Sequence, residues 1–247
     1  MYRVRMRNVP NFVAGLFFAL LSVGTAPAQS SDALAALRTA SLFGDSRYLT
    51  IKMTMSIVEG GGAKERALSI KSSRVDGSDK TLAAVVSPAF LNKLAFLRVK
   101  DGEGTRQWLR TSNGVKRIAE GNRNERLFGS DFTASDFLDA ASDARSAEYG
   151  QGRGEGLVVV RADTADGDRV VSFGSADRLV RSVEYLGKDG RVLKRYRVVE
   201  LETRDGKPYP KKAIMENLLS GGSTTVVIDS IDDETMVSDR VFNPASL

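Results

Sequence analysis

Between residues 49 and 57 the chain reads LTIKMTMSI, so that Leu49, Ile51, Met53, Met55 and Ile57 alternate with Thr50, Lys52, Thr54 and Ser56. A period of two means a strand with one buried and one wet face. Methionine is flexible and polarizable, so Met53 and Met55 suit either an irregular core or an adaptable pocket. Further strand-like runs cover 67–75, 81–86, 95–99, 107–111, 115–118, 157–162, 169–173, 179–186, 192–202, 213–218 and 224–231. Turn chemistry separates most of them: the glycines after Glu59, then Asp76-Gly77, Asp101-Gly102, Asn113-Gly114, Asp166-Gly167, Asp189-Gly190 and Asp205-Gly206. Such Asx-Gly pairs supply the positive φ angles of tight hairpins. Hairpin after hairpin makes an antiparallel meander, which predicts a large curved sheet or open barrel rather than a parallel α/β fold.

Two segments depart from this pattern. SDALAALRTASL, residues 31–42, is predicted to be a helix with Leu34, Leu37 and Ser41 on one side. Thr133-Ala134-Ser135-Asp136 fits the [ST]-x-x-[DE] capping pattern, and Phe137, Leu138 and Ala141 would give the following short helix an apolar face. A curved sheet has a concave side to fill, and helices lying across it would do so. No repeat or linker is evident, and the glycine-rich stretch 149–156 reads as a loop within one domain.

The N-terminus changes the charge picture. Arg3, Arg5 and Arg7 precede an apolar run from Phe12 to Val23 and then Ala26-Pro27-Ala28, the pattern of a secretory signal cleaved after Ala28. The apolar run is shorter than the roughly 20 residues a spanning helix needs. Expected domains are therefore a signal peptide, 1–28, and a single domain, 29–247. The whole chain carries 36 Lys and Arg against 31 Asp and Glu, but three of the bases lie in the signal, leaving 33 − 31 = +2. Such a near-neutral mature protein gives no electrostatic case for nucleic acid. No cysteine is present, so the fold rests on core burial and strand pairing, and export points to the periplasm.

With neither His nor Cys in the sequence, Ser-His-Asp and Cys-His devices and the usual zinc sites are excluded. A carboxylate pair, Asp131 with Asp136 or Glu216 with Asp232, is the remaining enzymatic reading. Asp229, Asp232, Asp233 and Glu234 lack EF-hand spacing and read as a polar turn rather than a metal site. In Gly129-Ser130-Asp131-Phe132, glycine permits an unusual backbone angle, Ser130 or Asp131 can satisfy free amides at the next helix start, and Phe132 can anchor that helix on the sheet.

The order Pro88, Phe96-Leu97-Arg98, Trp108, Val115-Lys116-Arg117-Ile118, Phe128-Gly129-Ser130-Asp131-Phe132 and Asp136 resembles the bacterial outer-membrane lipoprotein-sorting family, the LolA/LolB-like group. The tail is similar too, with YPKKAIMEN at 209–217, the run 224–232, and Val241-Phe242-Asn243-Pro244. One departure is Arg106-Gln107-Trp108-Leu109-Arg110-Thr111, which is more polar than the family's apolar version and lacks its proline. The resemblance implies a mainly β fold with a few helices: a half-open antiparallel barrel of about eleven strands, with helices as a lid over an apolar cavity. It implies a periplasmic, non-enzymatic carrier that binds acyl chains of a lipid or lipoprotein and shuttles them toward the outer membrane or to and from a membrane exporter. The alternative is an adaptor that docks to a lipid-exporting pump without cargo.

On this reading Met53, Met55, Leu82, Val86, Phe96, Trp108, Ile118, Phe128, Phe132 and Met215 are candidates to line the cavity. The bases Arg98, Arg110, Lys116 and Arg117, with Arg123 and Arg126, are candidates for headgroups or partners. Gly129, Ser130 and Asp131 would seat the lid. No cofactor, metal or nucleic acid is expected; expected partners are acyl chains, an inner-membrane exporter and a transiently touched membrane, and the expected state is a monomer.

Overall fold

The computed structural model describes residues 26–137, 141, 143–151 and 155–247. Its one α-helix among these residues, α1 (Ala26–Thr39), precedes six strands: β1 (Tyr48–Glu59), β2 (Gly62–Val75), β3 (Ser78–Ser87), β4 (Ala95–Asp101), β5 (Gly104–Thr111) and β6 (Gly114–Arg117). Seven more follow a long connection: β7 (Ala144–Tyr149), β8 (Leu157–Thr164), β9 (Gly167–Gly174), β10 (Val180–Leu186), β11 (Val192–Arg204), β12 (Lys207–Asn217) and β13 (Gly222–Asp232). All thirteen lie in one sheet, in the order β6-β5-β4-β3-β2-β1-β13-β12-β11-β10-β9-β8-β7. Two hairpin meanders are thus sewn together where β1 pairs antiparallel with β13, Ile57 facing Thr224 and Ile51 facing Ile231. The sheet is curved and open, with β6 and β7 as its two edges.

Strand parity decides which side chains face the hollow. From the cross-strand pairs Met53 to Leu68, Leu68 to Val85 and Ala83 to Phe96, every second residue of β1 to β4 points to the concave side. The same holds from Met215 to Tyr196, Tyr196 to Val183 and Val183 to Val171 on the other wing. These residues form one core together with Ala33 and Leu37 of α1 and with Leu127, Phe128, Phe132 and Ala134 of the connection between β6 and β7. A second, smaller core lies on the convex side, where Val237 and Phe242 of the C-terminal segment cover Leu97 and Val99, with Leu82 and Trp108 packed at its margin.

The architecture departs from expectation in three places. There are thirteen strands rather than about eleven. The strand absent from the twelve runs read in the sequence is edge strand β7, sequence ARSAEY, whose alternation is broken by a register shift between Ala144 and Ser146 and which buries only Ala147. The helix occupies Ala26–Thr39 rather than 31–42 and lies against β7 and β8 at one edge of the sheet, not across the hollow as a lid. The segment after Thr133 forms a short 3₁₀ turn, Ala134–Phe137; Leu138, read as part of its apolar face, lies outside the described residues, as do residues 1–25 of the expected signal.

Candidate functional site

The connection between β6 and β7 fills only one end of the concave face. Its backbone is tied down by a set of polar contacts to three strands and to β1's end. Asp131 accepts a hydrogen bond from the Thr224 hydroxyl of β13 at 2.8 Å, while that same hydroxyl accepts from the Asp131 amide at 2.9 Å. Gln107 of β5 donates to the Ala134 carbonyl at 2.8 Å. Lys194 of β11 grips both carboxylate oxygens of Asp136, at 2.8 and 2.6 Å. Arg126 donates to the Ser130 and Gly129 carbonyls and pairs with Glu59, holding the Glu59 carboxyl below the usual carboxylate range.

Within the Gly129-Ser130-Asp131-Phe132 turn, Phe128 and Gly129 both adopt positive φ, 56° and 70°. Ser130 turns its hydroxyl onto the Leu127 carbonyl and accepts from the Phe132 amide. The carboxylate that caps the following turn is Asp136, which accepts from the Thr133 amide at 2.7 Å. Asp131 instead bolts the turn to β13. Phe132 meets Tyr196 of β11 edge to face, with centroids 6.3 Å apart.

At the opposite end the concave face stays hollow. The cavity there measures about 910 Å³. Leu49, Ile70, Phe132, Val171, Val183, Tyr196 and Met215 give it apolar walls, and the chain from Arg38 to Ser46 crosses its mouth. That strap is held on both sides. Ser41 exchanges backbone hydrogen bonds with Arg178 and Val180 beside β10, at 3.0 and 2.9 Å, and Arg74 of β2 donates to the Gly44 carbonyl at 2.6 Å. Charged side chains interrupt the apolar wall, among them two clusters. One joins Asp136 and Lys194 to Tyr185, whose ring lies 4.5 Å from the Lys194 ammonium and whose hydroxyl is pushed well above its ordinary range, chiefly by burial and then by the Asp136 charge. The other centres on Arg98, paired with Asp79 at 2.7 Å.

Of the ten candidate lining residues, Phe132 and Met215 line this cavity. Met53, Met55, Phe96 and Phe128 are packed in the main core, with Ile118 partly buried against it. Leu82 and Trp108 face the convex side because their neighbours Thr81, Ala83, Gln107 and Leu109 take the inward parity. Val86 is 55% exposed. Among the bases, Arg98 lines the cavity, Arg110 binds the Lys93 and Asn92 carbonyls in the turn between β3 and β4, and Lys116 and Arg117 are exposed on edge strand β6. Sequence reading missed the strap and the inward residues of β9 and β10, among them Val171, Val183 and Tyr185; the alternation within 169–173 and 179–186 was the available signal.

The candidate carboxylate pairs have other partners. Asp131 and Asp136 hold the connection as described. Glu216 pairs with Arg197, and Asp232 accepts the backbone amides of Glu234 and Thr235. Glu216 faces Ser223 and Asp232 faces Thr50, which sets the two apart by nearly the length of β13, roughly 30 Å at about 3.3 Å per residue. Among the described residues no group of three or more His, Cys, Asp or Glu could hold a metal, and no helix is long and apolar enough to cross a membrane.

The family model that matches, over residues 77–247, carries the description "-like: Uncharacterized protein". No curated protein matches the chain. Among solved structures, a DUF1329 family protein from Desulfovibrio piger superposes with a TM-score of 0.76 at 16% identity, covering 89% of this chain and 99% of its own. An outer membrane lipoprotein-sorting protein domain from Vibrio parahaemolyticus gives 0.73 at 22% identity, covering 86% of this chain and 95% of its own. A LolA superfamily protein from Nitrosomonas europaea gives 0.66 at 13% identity, over 89% of this chain and 99% of its own.

Proposed function

We propose that the chain, whose fold is shared with a LolA superfamily protein and an outer membrane lipoprotein-sorting protein domain, is an exported LolA-like carrier, cut after Ala28, that takes acyl chains of a lipid or lipoprotein into the cavity at the open end of its sheet and moves them through the periplasm. The observation that carries this reading is the 910 Å³ hollow itself. It falls at the upper end of the range of roughly 300–1,000 Å³ seen for small-ligand pockets. Each methylene drawn into it is worth roughly 0.8 kcal/mol.

The reason the hollow persists is structural. The connection between β6 and β7 is bolted to β5, β11 and β13 at one end and cannot slide along the sheet to fill the other. The strap over the mouth is tethered beside β10 through Ser41, to Arg74 of β2 through Gly44 and the Ser41 hydroxyl, and to Asp233 through Ser46, and the Arg74 tether is made by a side chain alone. Opening there would admit a hydrocarbon tail between Phe132, Val183, Tyr196 and Met215. The named carboxylates serve as structural fasteners, which favours a carrier over a hydrolase.

The test is binding of a fluorescent fatty-acyl probe to wild type and to Val183→Trp, which places an indole in the hollow. Loss of at least tenfold in affinity is expected, with Val86→Trp on the outer surface as an unaffected control. Equal probe binding by Val183→Trp and wild type would refute the cavity as the site. Absence of binding by wild type to any acyl probe would leave the cargo-free adaptor.

A further inference from the structure

The cavity wall contains a cation that the fold does not fully use. Arg98 of β4 lines the hollow and is only 5% exposed. Its Nη2 lies 2.7 Å from Asp79 Oδ1 but is not aligned with it as a hydrogen bond, and its Nε and Nη1 have no hydrogen-bond partner. Buried guanidinium N–H groups left without acceptors are costly, so such a group is expected to meet an acceptor when the site is in use. Asp79 is shared with Arg74, 3.7 Å away, so this corner holds two cations against one carboxylate. The lining as a whole has no such excess, with seven basic and seven acidic side chains. Any preference for an anion must therefore arise locally.

Register places hydroxyls beside the guanidinium. Ser72 of β2 faces Thr81 of β3, Thr81 faces Arg98, and all three line the cavity next to apolar Leu49 and Ile70. A buried guanidinium whose unpartnered Nε–H and Nη1–H groups are flanked by hydroxyls and an apolar wall offers donors to a carboxylate or phosphate oxygen carried on a hydrocarbon tail.

Building on the carrier reading above, we propose that Arg98 is the headgroup-selecting residue of the cavity, and that the occupant is an anionic amphiphile held by its carboxylate or phosphate oxygens inside the hollow rather than at its rim.

The experiment titrates the intact mature chain by native mass spectrometry with oleate, methyl oleate and inorganic phosphate. Wild type should bind oleate roughly tenfold or more tightly than methyl oleate, the size expected for a charge-assisted hydrogen bond. Arg98→Gln should remove that preference by weakening oleate alone. Asp79→Asn, which keeps the arginine and removes its competing carboxylate, should tighten oleate several-fold and serves if Arg98→Gln fails to fold. Equal binding of oleate and methyl oleate by wild type would overturn the headgroup assignment and leave the carrier reading standing, as would an oleate preference that survives in Arg98→Gln. Arg98-dependent binding of phosphate without any oleate preference would assign the group to a free anion and overturn it too. If neither oleate nor methyl oleate binds, the carrier reading fails, and this inference with it.

Discussion

Lys194→Met tests how the connection between β6 and β7 is held over the sheet. Asp136 has a side chain only 4% exposed, and its ammonium partner lies 2.6 Å away. Removing the ammonium leaves a buried carboxylate whose remaining donors are the Thr133 amide and hydroxyl. Breaking a buried pair from one side costs about 3–5 kcal/mol, because the surviving charge is uncompensated. Replacing both partners, as Lys194→Met with Asp136→Leu, removes that charge; what is then lost is chiefly the cap on Thr133, about 1 kcal/mol. The double variant should therefore be more stable than the single one. Urea unfolding followed through Trp108, the sole tryptophan, measures both. A cost below about 1 kcal/mol for Lys194→Met would mean that the pair behaves like an exposed one and that the connection is held by something else.

Other consequences can be checked with the same material. Phe242→Ala opens the convex core and should cost about 3 kcal/mol while shifting Trp108 emission to the red, with acyl binding unchanged, because that core and the cavity lie on opposite faces of the sheet. Gly167→Ala should destabilise by about 2 kcal/mol or more in thermal unfolding, since φ is +132° there and an added Cβ would sit 2.0 Å from the Leu186 carbonyl oxygen. The lowered folded-state pKa of Glu59 gives stability that is present above the ordinary carboxylate range and lost as pH falls through the folded value. Glu59→Gln should accordingly have a lower urea midpoint than wild type at neutral pH, and the two should converge in acid.

Hairpins were the most legible part of the fold. Each Asx-Gly pair read from sequence closes a turn between consecutive strands, because the demand for positive φ is local and leaves its mark in a glycine; at Asp101-Gly102 the positive φ falls two residues on, at Gly104. Strand facing was less legible. In Arg106-Gln107-Trp108-Leu109 the tryptophan looks like the inward residue, yet Gln107 faces the concave side and is 1% exposed, since it holds the Ala134 carbonyl. Trp108 can face outward only because a C-terminal segment more than a hundred residues later covers that surface, which no local pattern announces. The start of β12 was hidden by Pro208 and Pro210. Both are tolerated because β12 pairs with β13 only from Lys212 onward, leaving one edge of residues 207–211 without a ladder to supply.

The candidate site was legible in kind more than in place. The methionine stripe of β1 and the aromatics around residue 130 were read as a pocket or its core, and the structure packs Met53, Met55 and Phe128 solidly under the connection. Of those residues only Phe132, where that filling stops, meets the hollow, as does Met215 of β12. Where filling stops depends on tertiary contacts such as Asp131 to Thr224, 93 residues apart in sequence.

The most direct measurement is native mass spectrometry of the protein isolated from its own cells, alongside Val183→Trp prepared identically. The account predicts mass additions of acyl-lipid size on the wild type that are released by organic solvent and largely missing from the variant. A wild-type protein that arrives bare and takes up no acyl lipid when offered it would contradict the account.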